Sequence, residues 1–210
     1  MVLRARAFAS EMSRRRSVRE FSRETFPMEV VDDAIRAAAS APSGAHQQPW
    51  TFVVVTSASL KQRIREAAEA EEKTNWEGRM GAEWMAAVEP FGLDWNKPHL
   101  TDAPVLIVVF AHAWGLAGTS GQASPSAERV KHYYVSESVG IAVGFLLSSL
   151  HLAGLATLTH TPSPMAFLRT LLGRPANERA FAVIPVGYPR ADAEVPCLER
   201  KRLDEVRVIV

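Results

Sequence analysis

Arg14-Arg15-Arg16-Ser17-Val18-Arg19, followed further along by Ala41-Pro42-Ser43-Gly44-Ala45-His46-Gln47-Gln48-Pro49-Trp50, decides how this chain is read. A cluster of guanidinium groups with a hydroxyl inside it grips a phosphate bidentately. A Pro-Ser-Gly turn entering a strand brings bare backbone amides against a planar ring. Together the two stretches point to a flat cofactor that carries a phosphate. Taken singly, each has a plainer meaning: the arginines a solvated basic arm or a nucleic-acid patch, the turn a loop between a helix and a strand.

Composition narrows the class. The 210 residues suffice for one core burying roughly 70% of the unfolded chain's surface, so a single domain over 1–210 is expected. With 24 basic and 23 acidic residues the net charge is +1, which gives no global field for nucleic acid, and no nucleic-acid partner is expected. Cys197 is the sole cysteine and excludes an intrachain disulfide. The histidines show no paired metal-ligand spacing, so no metal is expected, and there is neither a Ser-His-Asp motif nor a P-loop. Met1 to Phe8 is too poor in apolar residues for a signal h-region. The most hydrophobic stretch, Val139 to Leu150, contains Gly140, Gly144, Ser148 and Ser149 and falls short of the ~20 residues a spanning helix needs. A soluble, cytoplasmic protein with no membrane partner is the expectation.

Pattern gives the elements. A helix is expected from Pro27, a good first-turn residue, with Val30, Val31, Ile35 and Ala38 at helical spacing and an end before Pro42. Trp50 to Val55 reads as a buried strand, and a second amphipathic helix carries Leu60, Ile64 and Ala67 or Ala68 on one face. Glu71 to Leu100 is charged, Trp-rich and interrupted by Gly78, Gly81, Pro90, Gly92 and Pro98, the pattern of a cover over a site. Val105 to Phe110 is a further strand, Gly115 to Ser126 a surface loop. Tyr133 to Leu152 is apolar nearly all round, a central helix buried on most sides. Strands are expected at Leu155 to Thr159, Phe181 to Val186 and Val206 to Val210.

The runs RRRSVREF (14–21), PMEVVDDAIRAAASAPSGAHQQPWTFVVV (27–55), HTPSP (160–164), LLGRPANERAFAVIPVGYP (171–189) and VPCLERKRLDE (195–205) resemble the nitroreductase superfamily of FMN enzymes, and within it the iodotyrosine deiodinase branch. The likeness runs from about Arg14 to Leu203. It implies an α+β, three-layer fold with a central mixed or antiparallel sheet flanked by helices, and a homodimer in which the C-terminal strand is exchanged and the central helix lies at the interface. Animal deiodinases carry an N-terminal membrane anchor; this chain looks like the soluble, microbial members.

The resemblance also implies residue roles. Arg15, Arg16, Ser17 and Arg19 would grip the FMN phosphate, Pro42, Ser43 and Gly44 would lie along the flavin, and Arg200 would reach the cofactor from the far end of the chain. Thr159 and Thr161 match the hydroxyls at the flavin edge, where a hydroxyl near N5 makes one-electron steps accessible; these are the expected catalytic residues. Deiodinases close a Glu, a Tyr and a Lys over the amino-acid headgroup, and the matching positions read Glu72, Trp76 and Lys97. A carboxylate and an ammonium in one lid pair with a substrate's α-ammonium and α-carboxylate, and i,i+4 spacing puts Glu72 and Trp76 on one helical face. Trp76 departs from the family's Tyr: the indole keeps ring cover and one N–H but loses the phenolic hydroxyl. Ala45 matches the residue whose backbone amide would receive the substrate phenolate and so favour ring tautomerisation before halide loss. The expected activity is FMN-dependent reductive dehalogenation of halotyrosines, with NAD(P)H or a reductase as electron source. The alternative is a broad NAD(P)H-dependent nitroreductase or quinone reductase.

Overall fold

A computed structural model describes residues 1–116 and 128–210. Its centre is a four-stranded sheet of β1 (Trp50–Val55), β2 (Val105–His112), β5 (Ala156–Thr157) and β6 (Glu178–Gly187), in the order β1-β2-β6-β5 and antiparallel throughout. Val105 to Ala111 is buried at every position, a continuous apolar run with no alternation, because both faces of the sheet are covered. The period of two sends Val105, Ile107, Val109 and Ala111 to one face, where α2 (Glu29–Ala39) and α6 (Val135–Leu152) pack. Leu106, Val108 and Phe110 point to the other, against Ile64 and Ala68 of α3 (Ala58–Thr74), Leu100 of α5 (His99–Asp102) and Leu168 of α7 (Ala166–Leu171). Three layers result, as the resemblance implies. A register shift at Val109/Phe110, where Phe181 is passed over, bends the central pair.

The expected elements stand with changed limits. The helix expected from Pro27 has its first turn at Glu29, and the Pro27 carbonyl accepts the Val30 N–H. Glu71 to Thr74 belongs to the last turn of α3. The cover after it is built of a π-helical turn (Asn75–Arg79), α4 (Ala82–Val88) and a 3-10 turn (Glu89–Phe91) before α5. Leu155 to Thr159 is a ladder only at Ala156 and Thr157. β6 begins three residues earlier than expected, where the Glu178 carboxylate is held by Arg174 and Thr51. A helix absent from the expectations, α1 (Val2–Arg14), buries none of its residues in the single chain. Gly115 and Leu116 pair in β3 (Trp114–Leu116) with β4 (Arg129–Lys131); the rest of the expected 115–126 loop lies outside the described residues.

Two elements expected to meet a second copy stand open in the single chain. α6 is buried along one face only, through Ser138, Val139, Ala142, Val143, Leu146 and Leu150, while Gly140, Gly144, Ile141 and Phe145 face outward. Its 18 residues make it long and apolar enough, by length and composition, to cross a membrane, although the apolar stretch read from sequence is shorter. Gly140 and Gly144 lie inside the helix without breaking it, which is why it runs on. Within the single chain the C-terminal residues, expected to exchange onto a partner's sheet, form no strand. A helical turn, α8 (Leu203–Val206), is followed by an extended tail with Val208, Ile209 and Val210 fully out of the core, while the outer edge of β1 takes no strand among the described residues.

Candidate active site

The arginine run leaves α1 and is captured by the free edge of the sheet. Ser17 bridges Thr157 in parallel, and Val18 N–H donates to the Thr157 carbonyl at 3.1 Å. The unpaired groups of that edge are thereby covered, and Arg15, Arg16 and Arg19 are fixed around a cavity of about 570 Å³ that Ser17, Thr159 and Arg200 also line. Arg200 arrives from the far end of the sequence and donates to the carbonyls of Ser13 and Arg15, both at 3.0 Å. Arg16 donates to the Pro196 carbonyl. Among the described residues none of these four guanidinium groups pairs with a carboxylate. Burial, then the charges of Arg200 and Arg16, lowers the Arg15 pKa, and burial lowers that of Arg19. Four guanidinium groups against the one carboxylate of the lining, Glu199, leave an excess of positive charge that calls for an anion, and the residues fit a phosphate-bearing cofactor such as FMN.

Thr159 and Thr161 flank His160, whose N–H and carbonyl pair with Val183 of β6 at 2.9 and 2.8 Å. Strand periodicity then turns both threonines outward and His160 inward. Thr159 lines the arginine cavity. Thr159 and Thr161 together line an adjoining one of about 180 Å³ with Arg19, Glu72, Trp76 and Lys97. There Glu72 Oε2 accepts from Trp76 Nε1 at 3.3 Å and lies 3.4 Å from Lys97 Nζ, which also donates to the Asp94 carbonyl. Both charges are buried, each 8% exposed, so each needs the other. Glu72 Oε1 has no partner among the described residues. The headgroup residues expected from sequence thus meet in one place, next to the expected flavin-edge hydroxyls.

The Pro42-Ser43-Gly44-Ala45 turn is not with them. It precedes β1 and is tied to α6, with Gly44 N–H donating to Ser138 Oγ at 3.3 Å and Gln48 N–H to Ser43 Oγ at 2.9 Å. Trp50 sits opposite Ala111, which in turn sits opposite Arg179, whereas Thr157 sits opposite Val186. Seven residues along β6 and three strand spacings across separate the two ends by roughly 25 Å. Ala45, His46 and Gln48 all have φ between 46° and 54°. Left-handed backbone in non-glycine residues clusters at ligand clamps, and nothing in these side chains announces it.

Sequence reading missed several residues of the cover and floor. Trp84 and Val88, one turn apart on α4, and Leu93 line both cavities; their helical spacing was the available signal. Beneath them His99 and His160 meet edge to face, ring centroids 5.0 Å apart, with both Nε2 atoms buried and unpartnered among the described residues. Burial, with His160 and Lys97 next in effect, drives the His99 pKa down to about 2. Burial and Lys97 take His160 to about 3.

The Nitroreductase family model matches residues 12–188, most of the chain. The chain belongs to the nitroreductase family. Within that family it is 50% identical over 209 residues to the iodotyrosine deiodinase of Haliscomenobacter hydrossis, covering 100% of this chain and 91% of the relative. It is 45% identical over 211 residues to iodotyrosine deiodinase 1 of Homo sapiens, covering 100% and 71%. A crystal structure of oxidised iodotyrosine deiodinase bound to FMN and 3-iodo-L-tyrosine matches with a TM-score of 0.76 at 33% identity over 97% of each chain. A nitroreductase from Bacteroides fragilis with bound FMN, 19% identical with a TM-score of 0.67 over 97% and 98%, shares the fold of the nitroreductase family.

Proposed function

We propose that this protein is an FMN-dependent reductive dehalogenase of halotyrosines. The observation that carries the reading is the buried Glu72–Lys97 pair at 3.4 Å, covered by Trp76 and opening on the same cavity as Thr159 and Thr161. A lid whose two poles are an acid and an amine matches a zwitterion, which a reductase of nitroaromatics or quinones has no need to recognise. The chemistry supplied by bound FMN is two electrons, which with one proton exchange a carbon–halogen bond for carbon–hydrogen and release halide.

The chain's own residues bind and orient. Arg15, Arg16, Arg19 and Arg200 with Ser17 hold the phosphate-bearing cofactor, and Thr159 and Thr161 present hydroxyls to its edge. Glu72 Oε1 accepts the substrate ammonium while Lys97 turns from Asp94 to the carboxylate. Trp76 covers the ring, and the lid excludes water, strengthening each of these contacts. The Pro42–Ala45 turn completes the site from a second copy of the chain. Its distance from Arg16 and Thr159 within one chain, the outward face of α6 and the unpaired tail at Val208 to Val210 all support a homodimer. There the Ala45 backbone amide would receive the phenolate. Residues 1–210 act as one domain with the cover as its lid, in the cytoplasm, and reduced nicotinamide supplies the electrons directly or through a reductase. The test is anaerobic: the reduced protein mixed with 3-iodotyrosine releases iodide stoichiometrically. A flavin reoxidised by nitroaromatics but untouched by halotyrosine would replace this reading with the broad reductase.

A further inference from the structure

Lys97 lies between two short turns, in backbone that makes no ladder, yet its ammonium has to stand opposite Glu72. What holds it is α3. Glu69 Oε1 accepts the Lys97 backbone N–H at 2.8 Å and, at the same oxygen, Arg65 Nε at 2.6 Å. The two remaining arms of Arg65 reach the same segment on either side of Lys97: Nη2 donates to Asn96 Oδ1 at 2.8 Å and Nη1 to Thr101 Oγ1 at 3.0 Å. One turn earlier, the buried Lys61 ammonium donates to the carbonyls of Ala103 at 2.6 Å and Thr101 at 3.2 Å. Lys61, Arg65, Glu69 and Glu72 fall at i, i+4, i+8 and i+11, one face of the helix.

From this we infer that the Arg65–Glu69 pair is the positioning device of the headgroup clamp, so that a single rigid helix sets both poles: Glu72 directly and Lys97 through the latch. Neither residue lines the two cavities of the site, so their effect on substrate is transmitted wholly through Lys97. The planar guanidinium fork supplies three bonds in three directions, which a lysine ammonium on a flexible stem cannot reproduce. The proposal rests on the halotyrosine reading, and the experiment separates the two.

FMN-loaded wild type, Arg65→Met, Arg65→Lys and Glu69→Gln are titrated with 3-iodotyrosine and with 2-iodophenol, which lacks the headgroup, by flavin fluorescence. Hydrogen exchange of the peptide covering residues 94–101 is read in the same preparations. Arg65→Met and Arg65→Lys weaken 3-iodotyrosine about tenfold, the loss of one well-placed charged contact. They leave 2-iodophenol unchanged and speed exchange in 94–101. Glu69→Gln, which keeps the acceptor for the Lys97 N–H, shows a smaller loss. Equal weakening of both ligands, or unaltered exchange in the Arg65 variants, overturns the latch. Should Arg65→Met fail to fold, Arg65→Lys and Glu69→Gln decide alone. Wild type that ignores 3-iodotyrosine refutes the substrate, while faster exchange in the Arg65 variants still upholds the latch.

Discussion

Glu72→Gln isolates the charge on which substrate recognition depends. The exchange is isosteric, and the amide oxygen can still accept from Trp76 Nε1, now at 3.3 Å from Glu72. What disappears is the attraction between unit charges 3.4 Å apart, about 5 kcal/mol gross at an effective dielectric of 20 and largely offset by desolvation of the two ions. For the incoming ammonium the net loss is that of one charge-assisted hydrogen bond, about 1.5–3 kcal/mol, or roughly a 10- to 150-fold rise in Kd. The free protein suffers too, because Lys97 stays buried without its counter-ion. Its bond to the Asp94 carbonyl survives, so the cost stays toward the low end, about 3 kcal/mol, and lowers Tm by roughly 6–12 °C. Adding Lys97→Met to give a neutral pair restores stability but not affinity. Fluorescence titration with 3-iodotyrosine, alongside thermal melts of wild type and both variants, checks the numbers. A folded, yellow Glu72→Gln protein with wild-type affinity for 3-iodotyrosine would refute the reasoning.

Three further outcomes follow from the same site. Arg16→Met removes a guanidinium from the anion cavity and raises the FMN Kd roughly 10- to 100-fold, read as colour lost on desalting. Trp76→Phe keeps the ring cover but leaves Glu72 Oε2 one donor short, and 3-iodotyrosine binding weakens by roughly three- to tenfold with 2-iodophenol unaffected. His99 and His160 stay neutral in the folded protein, with pKa values of about 2 and 3 against 6.5 unfolded. Below pH 6.5 the unfolded chain therefore binds the extra protons, and stability, full above that pH, falls on acidification. The two together lose about 2.5 kcal/mol between pH 7.5 and 5.5, seen as a lower urea midpoint that a His99→Phe/His160→Phe variant does not share.

What could be read from sequence was local or periodic. The uninterrupted run at Val105 to Phe110 announces a buried strand, while Thr159 and Thr161 were reached only through the resemblance. The site's charged residues were found through motif resemblance, and the fold brings Glu72, Trp76 and Lys97 together as implied. Failures lie where the cause is distant. Lys97 is placed by Arg65 and Glu69 on another element, His99 meets His160 across the core, and the left-handed backbone at Ala45, His46 and Gln48 sits in a turn tied to Ser43 and Ser138. Val206 to Val210 has the composition of a strand, but a strand exists only where an edge receives it.

The separation of the Pro42–Ala45 turn from the arginine cavity has a genetic consequence. If each catalytic centre borrows its turn from a neighbour, an inactive parent altered at Arg16 and another altered within the turn complement one another. Co-expressed, the mixed pair holds one centre with both lesions and one with neither, so half the centres in each hybrid molecule turn over although both parents are dead.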